Sequence, residues 1–399
     1  MNKILQKATH EQTKIHNKNL VLKIIYDHRE VSRADIARIT YLTPPTVSTT
    51  VAELIEEGLV EETGYGPSAG GKPPTLLRVV DDSRHLIGID LANSEFRGAV
   101  INLRGQIIYQ ASVPVTPGDG QTALELVYQL MDRLIAAVSR PLLGIGVGTP
   151  GLVDAQRGVV RKAVNLDWQD LPLRDLLETR YNLPVFVAND SHVAAVAEYV
   201  FGQERKRANL IILKVGRGVS AGIVLNGRLH YGDGSGAGEI GHVRVVEQGA
   251  LCSCGHYGCL ETVTSSRFIV ERARAIAQEN SHSLLHQFAP TPEAITTDVV
   301  IQAFEAGDEE VRQIIAEVGH YLGVAVANLV GTLNIQSILI GGRVARFGEP
   351  LLEPIRQEMN QRAMSMLADE TQVSLSRLGQ EIVILGAAAL ILTHELSLI

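Results

Sequence analysis

Two stretches of this chain read alike. Leu86-Ile-Gly-Ile-Asp-Leu is followed by Gly98-Ala-Val-Ile-Asn-Leu-Arg-Gly105-Gln-Ile, and Leu210-Ile-Ile-Leu-Lys-Val by Ala221-Gly-Ile-Val-Leu-Asn-Gly227-Arg-Leu. Each spells strand, glycine-containing turn, strand, x-Gly turn, strand. Short apolar runs can match by chance, but the second turn falls at the same place in both copies, Arg104-Gly105 and Asn226-Gly227. That coincidence favours duplication. A repeated α/β unit predicts two related lobes with a cleft between them, where ligands commonly bind.

Outside the repeat the chain divides by charge and punctuation. Its 399 residues allow two to four domains, and 45% hydrophobic against 20% charged residues is enough for packed cores. The net charge of −8 excludes a protein that holds nucleic acid by bulk charge. Residues 1–50, however, carry eight Lys or Arg against four Asp or Glu, so positive charge gathers at one end. Gly64–Pro74 is too rich in Gly and Pro to lie inside a helix or a central strand. The first boundary is therefore placed near residue 80. The longest uncharged apolar run, Ile382–Leu392, is too short to span a bilayer, and the N-terminus has no apolar segment of signal-peptide length. A cytoplasmic protein with no membrane partner is expected.

The basic end reads as a winged helix-turn-helix. Leu20, Val21, Ile24 and Ile25 share one helix face; Ser32, with Asp35 three residues on, caps a second helix over Arg33–Thr40. Thr43 caps a third, with Pro44 and Pro45 in its first turn, Val47, Val51, Leu54 and Ile55 inside, and Gly58 at its end. Leu59–Thr63 and Thr75–Val80 then pair as a wing with Lys72 at its tip. The third helix would enter the major groove and present Thr46, Ser48, Thr49 and Thr50. No Arg or Lys sits among its early positions, so strong guanine readout is not expected. Lys18 is a second candidate contact. A protein-docking three-helix module is the alternative. Tyr41 stands where the turn calls for a left-handed residue, and a bulky side chain there predicts strain.

All three cysteines lie within eight residues. His242, Cys252, Cys254 and Cys259 give His-x9-Cys-x-Cys-x4-Cys, a Cys3His set of the structural zinc type, with Gly255 and Gly258 to wrap the loop. Thiolates exclude Ca²⁺ and Mg²⁺. Four protein ligands close the site, so the metal would order a loop and activate no water. Three incidental core cysteines are the alternative.

Glu239-Ile-Gly-His242 and the cysteine segment ending Cys259-Leu-Glu261 resemble the signature of the ROK family (repressor, open reading frame, kinase). The likeness continues through Gly146-Val-Gly-Thr-Pro-Gly151, Ala188-Asn-Asp190, Ile340-Gly-Gly342 and Leu385-Gly-Ala-Ala-Ala389. With its N-terminal head, the chain is similar to the sugar-responsive repressor branch. The resemblance implies an α/β, actin-like, two-lobed sugar-kinase fold behind the head. Residues 1–80 would form the DNA-binding domain and 81–190 the first lobe, completed by a C-terminal helix over 385–399. Residues 191–384 would form the second lobe with the zinc loop. It implies that Gly148, Thr149, Asn189, Asp190, Glu239, His242 and Glu261 hold a sugar, Asp190 being the family kinases' catalytic base. Operator DNA, a sugar effector, a homodimer or tetramer and a regulatory protein are the partners the resemblance implies.

One motif departs from the family's kinases. Where they carry Gly-Gly-Thr-Lys after the first aspartate, this chain has Ala92-Asn93-Ser94-Glu95 after Asp90-Leu91. Side chains replace the glycines that let backbone N–H groups reach phosphate, and an acid replaces the lysine. Like charge repels ATP, although Arg217, between Gly216 and Gly218, could hold a phosphate. Gly341-Gly342 serves the adenosine side in the family, or equally a tight turn. The expectation is a sugar sensor in which Asp190 is a vestigial base and catalytic residues are absent. An active ATP-dependent sugar kinase with a DNA head is the alternative, and control by a protein partner a third reading.

Overall fold

Local capping signals set the head. In the computed structural model, which describes residues 9–67, 73–91, 95–115, 118–203, 205 and 207–398, α1 (His10–His28) opens on a capping box. The Thr9 hydroxyl accepts from the Gln12 N–H, and the Gln12 side chain accepts from the Thr9 N–H. β1 (Val31–Ser32) leads into α2 (Arg33–Thr40), capped by Ser32, and Thr43 caps α3 (Pro44–Glu56). β2 (Val60–Tyr65) and β3 (Thr75–Val79) pair antiparallel, and β1 adds to the far edge of β3. Val21, Ile25, Ile36, Val47, Val51 and Leu54 are fully buried among these elements. Tyr41 does take the left-handed conformation (φ 59°, ψ 18°), with its side chain 94% exposed. The turn forms because the ring points away from everything it could strike.

The duplicated unit folds twice. β4 (His85–Asp90), β5 (Glu95–Asn102) and β6 (Ile107–Pro114) form an antiparallel meander, followed by α4 (Gly120–Ala136) and β7 (Leu142–Thr149). A small antiparallel insert of β8 (Leu152–Asp154), β9 (Val159–Ala163) and β10 (Trp168–Leu171) precedes α5 (Leu173–Tyr181). β11 (Val185–Asn189) and α6 (Asp190–Phe201) complete this half. Its sheet has the order β11-β7-β4-β5-β6.

In the second half, β12 (Leu210–Val215), β13 (Val219–Leu225) and β14 (Arg228–Leu229) repeat the meander. α7 (Glu261–Thr264), α8 (Ser266–Glu279), α9 (Leu285–Phe288), α10 (Thr297–Glu305) and α11 (Glu309–Leu333) follow. β15 (Ser337–Gly341), α12 (Glu349–Arg362), α13 (Ser365–Glu370), β16 (Gln372–Leu375) and α14 (Ile382–Glu395) end the fold. The second sheet runs β14-β13-β12-β15-β16, the first sheet's order with each strand replaced by its counterpart. α11 is long and apolar enough to cross a membrane by length and composition, yet its Val311, Val318, Leu322 and Val330 are core residues of this half.

Two helices tie the halves together. α14 begins at Ile382, three residues ahead of the expected 385, and packs on β4, β7 and α6. The approach is close: a Cβ on Gly146 would lie 1.9 Å from the Ala387 carbonyl oxygen, and one on Gly386 1.8 Å from that of Val193. These glycines make room for helix against strand and helix against helix. α6 reaches the other way, touching β12 and β13.

Candidate functional site

The parallel register of β4, β7 and β11 brings Asp90 beside Gly148, and Thr149 beside Asn189, at their C-terminal ends. Ligands of open α/β sheets bind at this edge. Asn189 caps α6. Its Oδ1 accepts from the Ser191 N–H (2.9 Å) and hydroxyl (2.6 Å), while its Nδ2 donates to the Gly151 carbonyl (2.8 Å). The amide therefore has a structural task. Gly148 likewise leaves space for Val383 and Val193, and Thr149 is wholly buried.

Glu239, His242 and Glu261 converge on Asp190 from the second lobe. The His242 Nε2 lies 3.8 Å from a Glu239 carboxylate oxygen. Burial pushes the Glu239 carboxyl above its usual range; His242 opposes this and Asp190 and Glu261 add to it. Even so, 42% of the Glu239 side chain remains open. Glu261, the first residue of α7, accepts from the Val219 N–H at 3.1 Å. Acceptors, an imidazole and an open face are what hydroxyl recognition needs.

The opposite side of the cleft is already filled. Lys214 on β12 donates to the Asp190 carboxylate at 2.7 Å, and Arg97 on β5 to that of Asp90 at 3.0 Å and to the Gln380 carbonyl at 2.7 Å. Burial opposes the Lys214 charge, but the Asp190 and Asp90 carboxylates outweigh it and hold the ammonium above its ordinary range. The cavity bounded by Asp90, Glu95, Arg97, Lys214 and Gly342 is about 40 Å³. Gly342 (φ 87°) makes a tight turn against the Val215 carbonyl. Arg217 is exposed and makes no ion pair among the described residues. Ala92, Asn93 and Ser94 lie outside the described residues.

One donor atom each from His242, Cys252, Cys254 and Cys259 lies within 4.8 Å of all the others. Cys254 and Cys259 sulfurs are 3.7 Å apart, and the Cys252 sulfur is 3.5 Å from His242 Nδ1. A tetrahedral ion with bonds of about 2.3 Å requires sulfurs about 3.8 Å apart, so the donor set fits a metal ion. His242 turns Nδ1 to the thiols and Nε2 to Glu239. The metal cluster and the cleft thus share one imidazole.

In the head, Ser48 and Thr49 are exposed, and the Thr46 hydroxyl is 2.8 Å from that of Thr43. Thr50 requires a correction: it is 8% exposed and shares the buried face of Val47 and Leu54, three and four residues away along α3. Lys18 pairs with Glu57 beyond the end of α3, far from the helix start that would meet a groove. Lys72 lies outside the described residues. Sequence reasoning passed over Arg38, 78% exposed beside the turn.

The profile of the ROK family matches residues 86–394, and that of the MarR family residues 20–65. The chain belongs to the ROK family. Over 98% of both chains it is 36% identical to a protein named xylose repressor from Caldicellulosiruptor bescii. A solved ROK family transcriptional regulator, a homologue of the E. coli MLC protein, superposes with TM-score 0.82 at 28% identity, covering 95% of this chain and 96% of its own. A ROK family glucokinase from Streptomyces griseus, solved with glucose and AMPPNP, gives 0.72 at 29% identity over 77% and 98%. The ROK fold is an actin-like α/β pair of lobes, here preceded by a winged helix-turn-helix.

Two ROK-site residues escaped the sequence reading, Lys214 and Arg97. Each had a signal: a lone cation inside a largely buried strand must find an anion. His192 escaped too. It is 2% exposed on α6, its Nε2 sits 2.9 Å from the Ala237 carbonyl, and burial holds its pKa below the ordinary imidazole value.

Proposed function

We propose that this ROK chain is a sugar-responsive, DNA-binding transcriptional repressor of carbohydrate genes, acting in the cytoplasm. The observation that carries the reading is the course of α6. It begins with Asp190 in the cleft and ends at Phe201, after which Arg205 lies 3.8 Å from Asp27 of α1. The head is fastened there as well. The Tyr26 hydroxyl donates to the Leu103 carbonyl (2.9 Å), and Arg104 donates to the Tyr26 carbonyl (2.6 Å). A lobe movement at the sugar end therefore reaches the DNA-binding end through a rigid rod.

The sugar would lie among Asn189, Asp190, Glu239, His242 and Glu261, next to Gly148 and Thr149. Thr46, Ser48 and Thr49 would meet DNA. The metal is zinc, held by His242, Cys252, Cys254 and Cys259; when bound it orders the loop that aims His242 and supplies no hydrolytic chemistry. Lys214 neutralises the carboxylate that a kinase would use as its base, and the Glu95 carboxylate lines the recess where a triphosphate would need cations. Both speak for a sensor over a kinase.

Sugar binding selects one lobe angle and so changes the spacing of two heads in a homodimer, whose half-sites must sit about one DNA turn, or a multiple of it, apart. Couplings of this kind are about 1–3 kcal/mol. Operator titration against a sugar panel tests the reading. The name of the 36% identical relative puts xylose first. A sugar that shifts operator affinity in the native chain and not in Asp190→Asn supports it. An operator curve unmoved by every sugar, or brisk ADP release with sugar and ATP, overturns it.

A further inference from the structure

A cavity lies far from the sugar cleft, where the head meets the first lobe. It measures about 660 Å³, the size of a small-metabolite site. Its walls carry four guanidinium groups, Arg29, Arg78, Arg104 and Arg205, against two carboxylates, Glu30 and Asp81. Two of the cations are braced on Tyr26: Arg104 stands 4.2 Å from the ring centroid and Arg205 5.7 Å. Arg104 is further fixed by Asp81 and Arg78 by Glu61.

Arg29 differs from the other three. Among the described residues no hydrogen bond or ion pair engages its side chain, which is exposed. Its backbone is held at φ 62°, ψ −53°, the centre of a strained γ-turn closed by the Glu30 N–H donating to the His28 carbonyl at 2.7 Å. A strained, uncommitted arginine at the rim of a braced cationic recess is a device for meeting an anion.

We propose that this joint cavity is a second effector site, taking a small polyanion of the phosphate-monoester class. Planar forked donors from several directions suit phosphate oxygens, and Val200 and Phe201 supply an apolar wall for a carbon skeleton. The site is separate from the cleft. α6 spans 12 residues between them, about 18 Å at the ordinary helical rise. An anion here would clamp α1, β3 and the end of α6 together and set the head against the body independently of the sugar.

Calorimetry on the full chain tests this with inorganic phosphate and ribose 5-phosphate, with ribose as the neutral control. Saturable binding of either anion supports the site, provided that Arg29→Gln weakens it about fivefold or more and Arg29→Gln/Arg205→Gln about tenfold or more. Ribose must fail to bind there, and Asp190→Asn must leave anion binding unchanged. Phosphate alone binding would identify a free oxyanion as the ligand; ribose 5-phosphate binding more tightly would identify a phosphorylated metabolite. No saturable binding up to about 10 mM, a millimolar limit for a metabolite sensor, overturns the proposal. Equal affinity in the native chain and the arginine variants overturns it too, as does loss of binding in Asp190→Asn. Arg29 is exposed and no hydrogen bond or ion pair among the described residues engages its side chain, so its single variant stays folded.

Discussion

The two sides of the interlobe cleft use the same kind of residue to opposite ends. Towards β5 and β12, Asp90 and Asp190 are buried and each is met by a cation from a neighbouring strand, Arg97 and Lys214. Towards the metal-type cluster Glu239 stays 42% open, and its nearest charged partner among the described residues is His242, at 3.8 Å. A carboxylate with a bound internal cation has one oxygen already engaged and offers a ligand only the other, as Asp190 would to a sugar hydroxyl, whereas one that lacks such a cation keeps both. Counter-charge, more than the carboxylates themselves, therefore sets how much of each carboxylate is left for a ligand.

The heaviest blow to that contrast would be removal of the metal proposed at His242, Cys252, Cys254 and Cys259. Chelation, or Cys259→Ser, is expected to lower the melting temperature by about 10 °C and to abolish sugar binding, because His242 loses its anchor. The Asp90–Arg97 pair would be untouched. Calorimetric melting with and without chelator checks this, and unchanged sugar affinity in metal-free protein would break the contrast. Next in size, Lys214→Met leaves the buried Asp190 carboxylate without its cation and should cost about 3–5 kcal/mol in urea unfolding. Lys214→Met/Asp190→Asn should recover a large part of that loss; no recovery would mean that Lys214 acts through packing alone.

A smaller effect is expected at the open carboxylate. Glu239→Gln should change stability by less than about 0.5 kcal/mol, as surface substitutions do. It should weaken sugar binding by about 10- to 100-fold, the worth of a hydrogen bond to a charged group. The smallest effect concerns His192. Its folded pKa is depressed, so the unfolded chain takes up the proton first as pH falls below 6.5. Stability should decline from there through the folded value, and His192→Gln should decline less over the same window.

How much of this was legible depended on whether the signal was local. Caps at Ser32 and Thr43, the turn at Tyr41 and the paired meanders are written in neighbouring residues, and the cysteine cluster is a spacing. Thr50 was legible and misread: helical period alone sets it beside Val47 and Leu54. Arg97 and Lys214 needed register. Only the pairing of Asp90 opposite Arg97 across β4 and β5, and the end of β11 delivering Asp190 next to β12, reveal which anions they neutralise. Glycines 146 and 148 sit in a motif that resembles a ligand loop, and helix approach explains them equally well.

α14 has a consequence for synthesis. Domains emerging from a ribosome usually fold in the order in which they are made. Here the first sheet lacks the helix that covers β4 and β7 until Ile382–Glu395 has been translated. The intervening half must therefore organise while its elder twin waits uncovered, and a nascent chain stalled shortly before this segment would expose a wide apolar surface to chaperones and proteases.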